Sequence, residues 1–223
     1  MTPSLKQTIR KNILAQREQL PANVRAAHSA AITERLLQMP EYRQADAVLG
    51  YMNFGTEYAS ELWVTHVLAE GKRLALPKVN RHTNHLDLYW VEDIENQLAP
   101  GLWGIREPVV ERCERLNRLN EIEFVLLPGV AFSRDGARLG YGGGFYDKLL
   151  MKLLAIRLGE QTTPAESLVM ARLDDQSGVA HSPALVAGAY SMQLVECIPQ
   201  EATDRKVEWL VTENETIDCG RMR

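Results

Sequence analysis

Near the start of the chain, apolar positions recur at helical spacing. Leu5, Ile9, Ile13, Ala15 and Leu20 fall close to one helix face, and Ser4 is placed to cap it. Pro21 breaks that run and suits the first turn of a second helix. There Val24, Ala27, Ala31 and Arg35 share one line, Ile32, Leu36 and Met39 widen the apolar face, and Pro40 closes the helix. From Ala45 the pattern changes. Residues 45–54 (ADAVLGYMNF) predict a strand. Residues 60–72 (SELWVTHVLAEGK) predict a helix with Ser60 at its N-cap and Gly71 just past its end. Residues 73–79 (RLALPKV) predict the next strand, and strand–helix–strand over this span implies a parallel pair. Further strands are predicted at 86–92 (LDLYWVE), 123–132 (EFVLLPGVAF), 184–191 (ALVAGAYS) and 207–212 (VEWLVT). Residues 99–121 carry no regular pattern. A helix is predicted from Phe145 (FYDKLLMKLLAIRL), and another after Thr163, with Pro164 at N1 and Glu166 at N3. No repeat or linker interrupts the chain. The expectation is one α/β domain over residues 1–223. It has a mostly parallel central sheet flanked by helices and an N-terminal helical pair.

Composition narrows this picture. At 223 residues the chain can bury roughly 70% of its unfolded surface without disulfides or metal staples. Cys113, Cys197 and Cys219 are far apart and form no framework or CxxC pair. Lys and Arg number 25 against 29 Asp and Glu, which argues against nucleic acid as partner, so an anionic ligand must meet local positive charge. The longest apolar stretch, 124–132, contains Pro128 and Gly129 and is too short for a bilayer. The polar, basic start has no apolar signal region. A cytoplasmic protein without membrane contact is expected. His82 and His85 lie in a polar RHTNH run that reads as a turn rather than a zinc site. Cys113, in a charged stretch, reads as an ordinary thiol.

The chemistry concentrates in RLGYGGGFYDK, residues 138–148, between a buried strand and a helix. Gly140, Gly142, Gly143 and Gly144 let backbone N–H groups approach a ligand, and the helix start adds unpaired N–H groups and a positive dipole end. That suits a phosphate, with Arg138 and Lys148 adding charge. GxGxxG fails because Phe145 stands at its last position, and GxxxxGK[ST] has no match. A tight strand-to-helix turn is the plainer alternative for these glycines. Asp147, in the first helical turn, either stabilises the dipole, worth about 0.3–1 kcal/mol, or supplies an oxygen to Mg²⁺ on a nucleotide.

The segment LLPGVAFSRDGARLGYGGGFYDKLL resembles the signature of the 5-formyltetrahydrofolate cyclo-ligase family. KQTIR (Lys6–Arg10), YMNFGTE, LPK, WGIREP, MQLVECIP and DRKVEWLVTE follow the family order. The resemblance implies ATP- and Mg²⁺-dependent conversion of 5-formyltetrahydrofolate to 5,10-methenyltetrahydrofolate; a monomer is the expected state. It implies that Lys6, Arg10 and Arg138 serve the transferring phosphate. Leu139, Gly140, Tyr141 and Gly142, with Gly143, Gly144, Phe145 and Tyr146, would complete the ATP loop. Phe54, Glu57 and Trp103 match positions beside the reduced folate, with Tyr141 and Tyr146 bordering it. Asp147 matches a magnesium ligand, and Glu208 falls at an acidic position taken as the second. The chain departs from the family pattern at Ser133, at Ala59 and Ser60, and at Gly143, where Lys is frequent; against the family, residues 158–182 read as an insertion.

The residue types suit that chemistry. Phosphorylating a formamide oxygen turns it into a leaving group, and N10 can then close the ring. The protein mainly aligns reactants and neutralises phosphoryl charge. Trp103 or Phe54 can stack on a flat pterin or simply pack in the core, and Glu57 can accept from the pterin's N–H donors or sit as a surface carboxylate. Two other readings stay open: a non-catalytic folate- or nucleotide-binding homologue, and a different α/β enzyme acting on a sugar phosphate.

Overall fold

The computed structural model describes residues 4–157 and 182–220. Helix α1 (Leu5–Gln19) begins at Ser4, whose hydroxyl accepts from the Gln7 N–H while the Gln7 side chain accepts from the Ser4 N–H. This reciprocal box satisfies two otherwise unpaired donors. Pro21 stands at the N-cap position of α2 (Ala22–Gln38), one residue earlier than the first-turn position expected. Pro40 does close α2, and it also opens a single-turn α3 (Pro40–Gln44).

The β–α–β unit is β1 (Ala47–Leu49), α4 (Ser60–Ala69) and β2 (Arg73–Asn80), with β1 and β2 parallel. The strand at 45–54 is thus only three residues long. Beyond Leu49 the backbone leaves the ladder, because residues 50–59 form the cavity wall described below. Ser60 is the first helical residue rather than the cap. Its hydroxyl turns back to the Tyr51 carbonyl at 2.6 Å and pins that wall. Strand β3 (His85–Val91) returns antiparallel to β2, so RHTNH is a hairpin turn.

The irregular stretch holds short pieces: α5 (Ile94–Gln97) and a ribbon of β4 (Leu98–Pro100) with β5 (Arg106–Pro108). The strand predicted at 123–132 splits at Pro128. β6 (Phe124–Leu127) lies in the main sheet, and β7 (Ala131–Phe132) pairs instead with β8 (Arg138–Leu139). Then come α6 (Phe145–Arg157), β9 (Ala184–Gly188), β10 (Trp209–Val211) and β11 (Thr216–Asp218). The helix expected after Thr163 and most of the 158–182 insertion lie outside the described residues.

The seven-stranded order is β11-β10-β9-β6-β1-β2-β3. Its five inner strands are mutually parallel, and both edges are antiparallel. An α/β fold with a mostly parallel sheet and an N-terminal helical pair is what the sequence predicts; the edge strand β11 was not foreseen. Alternation along β6 divides the core. Phe124 and Leu126 face α2 and α4, meeting Ile32, Leu36 and Trp63, whereas Val125 and Leu127 face Leu149, Leu150 and Leu153 of α6. Helix α1 stands apart on the β7–β8 ribbon, where Ile13 packs with Val130, Ala131, Leu139 and Ile198. Among the described residues, no helix is long and apolar enough to cross a membrane.

Candidate active site

A cavity of about 1020 Å³ opens at the carboxyl ends of β1, β2 and β6, where an open parallel sheet places its ligand crevice. Three segments wall it: α1, the turn after β1, and the glycine loop between β8 and α6. The stripe Lys6, Arg10, Ile13, Arg17 runs along α1 at spacings of four, three and four, so all four side chains leave the same helix face.

Each member of the stripe meets a different partner. Lys6 Nζ donates to Asp204 at 2.7 Å and Glu201 at 2.9 Å. Arg10 Nε donates to the Gly140 carbonyl at 2.7 Å, with its guanidinium beside Gly142. Arg17, only 2% exposed, donates from Nε to the Thr56 hydroxyl at 3.0 Å and from Nη2 to the Tyr141 hydroxyl at 2.7 Å.

The glycine loop is folded as only glycine permits. Gly142 and Gly144 have φ of 108° and 66°. At Gly143 a Cβ would lie 2.7 Å from the Phe145 ring, so a lysine there would have to displace that ring. Arg138 is buried behind the loop, donating to Asp147 Oδ1 at 2.6 Å and to the Pro128 carbonyl at 3.2 Å. Asp147 Oδ2 has no hydrogen bond among the described residues.

Glu57 is buried in the opposite wall. Oε2 accepts the Phe54 N–H at 2.7 Å, closing the 54–57 turn on itself. Burial pushes its carboxyl above the usual carboxylate range. The Phe54 N–H, the Tyr141 hydroxyl and the Arg17 charge pull the other way without cancelling that rise. Phe54 and Tyr141 meet edge-on at 6.3 Å. Tyr146, at the start of α6, lies between the two main core clusters. Trp103 lines the mouth with 65% of its surface exposed and a left-handed φ of 58°. A bulky residue adopts that conformation rarely, and it turns the ring away from regular packing.

This geometry has counterparts elsewhere. Residues 3–176 match the model of the 5-formyltetrahydrofolate cyclo-ligase family. A 5-formyltetrahydrofolate cyclo-ligase of Haemophilus influenzae is 30% identical over 150 residues, 67% of this chain and 80% of that one. The chain belongs to the 5-formyltetrahydrofolate cyclo-ligase family. It is an enzyme of that ATP-dependent ligase class. The solution structure of the 5,10-methenyltetrahydrofolate synthetase of Aquifex aeolicus superposes with a TM-score of 0.74 at 31% identity, covering 97% of this chain and 93% of that one. The Mycoplasma pneumoniae synthetase shares the fold, with a TM-score of 0.64 at 18% identity over 94% and 99% of the two chains.

Measured against the residues the family resemblance points to, the cavity collects Lys6, Arg10, Arg138, the loop from Leu139 to Tyr146, Asp147, Phe54, Glu57 and Trp103. It does not collect Glu208. That residue precedes β10 and so stands at the amino end of a strand, across the sheet from the cavity. Its carboxylate accepts the Leu185 N–H at 3.1 Å at the start of β9. Two strand ends meet only if they are the same end, which the sequence pattern alone did not distinguish.

Asp204 lies four residues earlier and does line the cavity. Its burial favours the neutral acid, yet hydrogen bonds from Lys6 and the Glu201 N–H, with the charges of Lys6 and Arg138, hold it below the ordinary aspartate range. Three more residues were missed. Glu107 is a buried cavity carboxylate whose Oε2 lies 3.6 Å from Lys78 Nζ; it stood in plain view within WGIREP. Arg17 was findable as the continuation of the Lys6–Arg10 stripe. Thr56 was hidden in a turn with no periodicity.

Proposed function

We propose that this protein converts 5-formyltetrahydrofolate and ATP to 5,10-methenyltetrahydrofolate, ADP and phosphate within this cavity. The formyl oxygen attacks the γ-phosphorus and ADP departs. N10 then attacks the activated carbon and gives up its proton, and the C–O bond breaks with release of phosphate, which carries that proton away. The observation that carries the reading is the meeting, in one cavity, of an N–H-lined glycine loop flanked by Lys6, Arg10 and Arg138 with an aromatic wall holding a buried carboxylate. The first suits a polyphosphate and the second a flat ring bearing N–H donors.

Lys6, Arg10 and Arg138 neutralise the phosphoryl oxygens, and the loop from Leu139 to Phe145 cradles them with backbone donors. Arg10 also spaces the loop through Gly140. Phe54, Trp103, Tyr141 and Tyr146 border the folate, and Glu57 accepts from its ring donors. A magnesium ion suits two carboxylates here, Asp147 and Asp204. Each has one oxygen without a hydrogen bond among the described residues, and hard oxygen ligands completed by phosphate and water are what Mg²⁺ takes. When bound, the ion would neutralise the phosphate oxygens and align the γ-phosphoryl group. The reading includes a monomeric, cytoplasmic, single-domain enzyme.

The test is purified protein with 5-formyltetrahydrofolate, ATP and Mg²⁺. The product is followed by the absorbance of its conjugated amidinium, and ADP is counted against it. One ADP per methenyl product is expected. Binding of both ligands without product would turn the reading to a non-catalytic homologue. Absence of ATP binding with tight binding of a sugar phosphate would turn it to another α/β enzyme.

A further inference from the structure

Arg17 is the one charged member of the α1 stripe that does not reach the cavity surface, and it is nearly inaccessible to solvent. A charge of this kind is costly to bury unless its contacts return that cost. Its contacts are specific. The guanidinium bridges two segments of the cavity wall from behind: Thr56, in the turn that carries Glu57, and Tyr141, in the glycine loop. It also lies 5.9 Å from the Tyr141 ring centre. Nη1 has no hydrogen-bond partner among the described residues, so two polar contacts and the nearby carboxylate carry the whole compensation.

From this we infer that Arg17 is a positioning residue for the folate ring: from behind the wall it fixes Tyr141 and the 54–57 turn in the arrangement that receives the substrate. The inference rests on the folate reading of this wall and extends it to a residue that touches no ligand. Its physical content is twofold. The fork sets geometry, which a lysine cannot reproduce because its ammonium lacks the planar pair of donors. The charge favours the ionised form of Glu57. The groups facing Glu57 are Arg17 from α1, Tyr141 from the loop, Tyr51 after β1 and Tyr146 at the start of α6. Burial pushes all three phenols far up, so they stay neutral in the working range, and Arg17 is the cation among them. Removing it raises the Glu57 pKa further, because the anion loses its only opposite charge in that set.

The experiment compares Arg17→Met and Arg17→Lys with wild type. It reads KM for each substrate, the pH profile of kcat/KM for 5-formyltetrahydrofolate, and folate binding by calorimetry. Arg17→Met is expected to raise the folate KM by about tenfold or more, the loss of a hydrogen bond to a charged group. The ATP KM should stay within about twofold, and the acid limb should move to higher pH. Arg17→Lys keeps the charge, so its acid limb should stay at the wild-type position while the folate KM still rises. Equal rises in both KM values, or a change in thermal stability alone, would overturn the inference. So would a wild-type folate KM in Arg17→Lys, which decides the matter even if Arg17→Met does not fold. If wild type makes no methenyl product, the proposed function fails, and calorimetric folate affinities of the variants still judge Arg17. If wild type turns over and the variants match it, Arg17 alone is wrong.

Discussion

On the glycine-loop wall, Lys6, Arg10 and Arg138 already have partners: Asp204 with Glu201, the Gly140 carbonyl, and Asp147. Across the cavity, Glu57 and Glu107 are buried with less compensation. The first is answered by one N–H, a phenol and a cation behind the wall, the second by the Val79 N–H at 3.4 Å and a lysine at 3.6 Å. The two walls therefore respond to ligand differently. A polyphosphate must exchange ion pairs that exist without it, so part of each new contact replaces an old one, and salt weakens both. A neutral ring with N–H donors finds two buried carboxylates with acceptor capacity to spare, and gains by adding donors to them. Charge on the first wall is about turnover; charge on the second is about recognition.

The strongest way to break this contrast is at Arg138. Its side chain is 3% exposed, and Arg138→Met would leave Asp147 and the Pro128 carbonyl unanswered. Breaking a buried pair costs about 3 kcal/mol of stability, and losing a fixed cation at a phosphoryl group costs about 10²-fold or more in turnover. Denaturant midpoints and kcat measure the two. Turnover near wild type would remove Arg138 from the chemistry and leave it as a strut under the loop.

The metal assignment sharpens the contrast next. Asp147→Asn and Asp204→Asn should each raise the Mg²⁺ concentration for half-maximal turnover by about tenfold or more, since each removes a charge from a hard-cation site. Glu208→Gln should keep the wild-type Mg²⁺ requirement. Its carboxylate serves the Leu185 N–H, so its effect belongs in stability, about 1 kcal/mol. A Mg²⁺ titration of turnover for the three variants separates these. A shifted requirement in Glu208→Gln alone would invert the assignment.

These residues also show what the sequence carries and what it conceals. Ser4 with Gln7, the stripe on α1 and the crowded glycines were readable because each is a local pattern with a local physical cause. The long buried strand was misjudged because composition cannot tell a continuous strand from two short ones separated by Pro128 and Gly129. β11 escaped because three residues, one of them charged, give no period to detect. Asp204 and Glu208 are both acidic and four apart. What separates them is tertiary: Lys6 of α1 holds Asp204 at the cavity, while Glu208 is turned to the Leu185 N–H at the start of β9. Arg17 drew no attention in the sequence because burial is not written in residue type.

Lys6 tests how much an ion pair that precedes the ligand subtracts. A charge-assisted contact to phosphate is worth about 1.5–3 kcal/mol, or ten- to a hundredfold in binding. Lys6 first has to loosen from Asp204 and Glu201, so Lys6→Ala should raise the ATP KM by only about tenfold, with the folate KM nearly unchanged. Raising salt should narrow the difference from wild type. An unchanged ATP KM would leave Lys6 as a link between α1 and the 201–204 turn.

The smallest effect is expected at Trp103, and it isolates the recognition wall from its supports. The ring is 65% exposed, and its backbone is held in the left-handed region between Gly101 and Gly104 rather than by a packed core. Trp103→Ala therefore removes little buried area and, since alanine keeps the Cβ, leaves the left-handed strain as it was, so stability should stay within about 0.5 kcal/mol of wild type. What it removes is a flat face at the cavity mouth. An aromatic contact of this kind contributes about 0.5–1.5 kcal/mol beyond area burial, so the folate KM should rise about two- to tenfold while the ATP KM does not move. Thermal unfolding run beside the two KM values is the check. If the variant melts early and loses both substrates together, Trp103 is part of the scaffold. If the folate KM holds at wild type, the ring stands at the mouth without touching what enters, and Phe54 and Tyr141 form the aromatic surface by themselves.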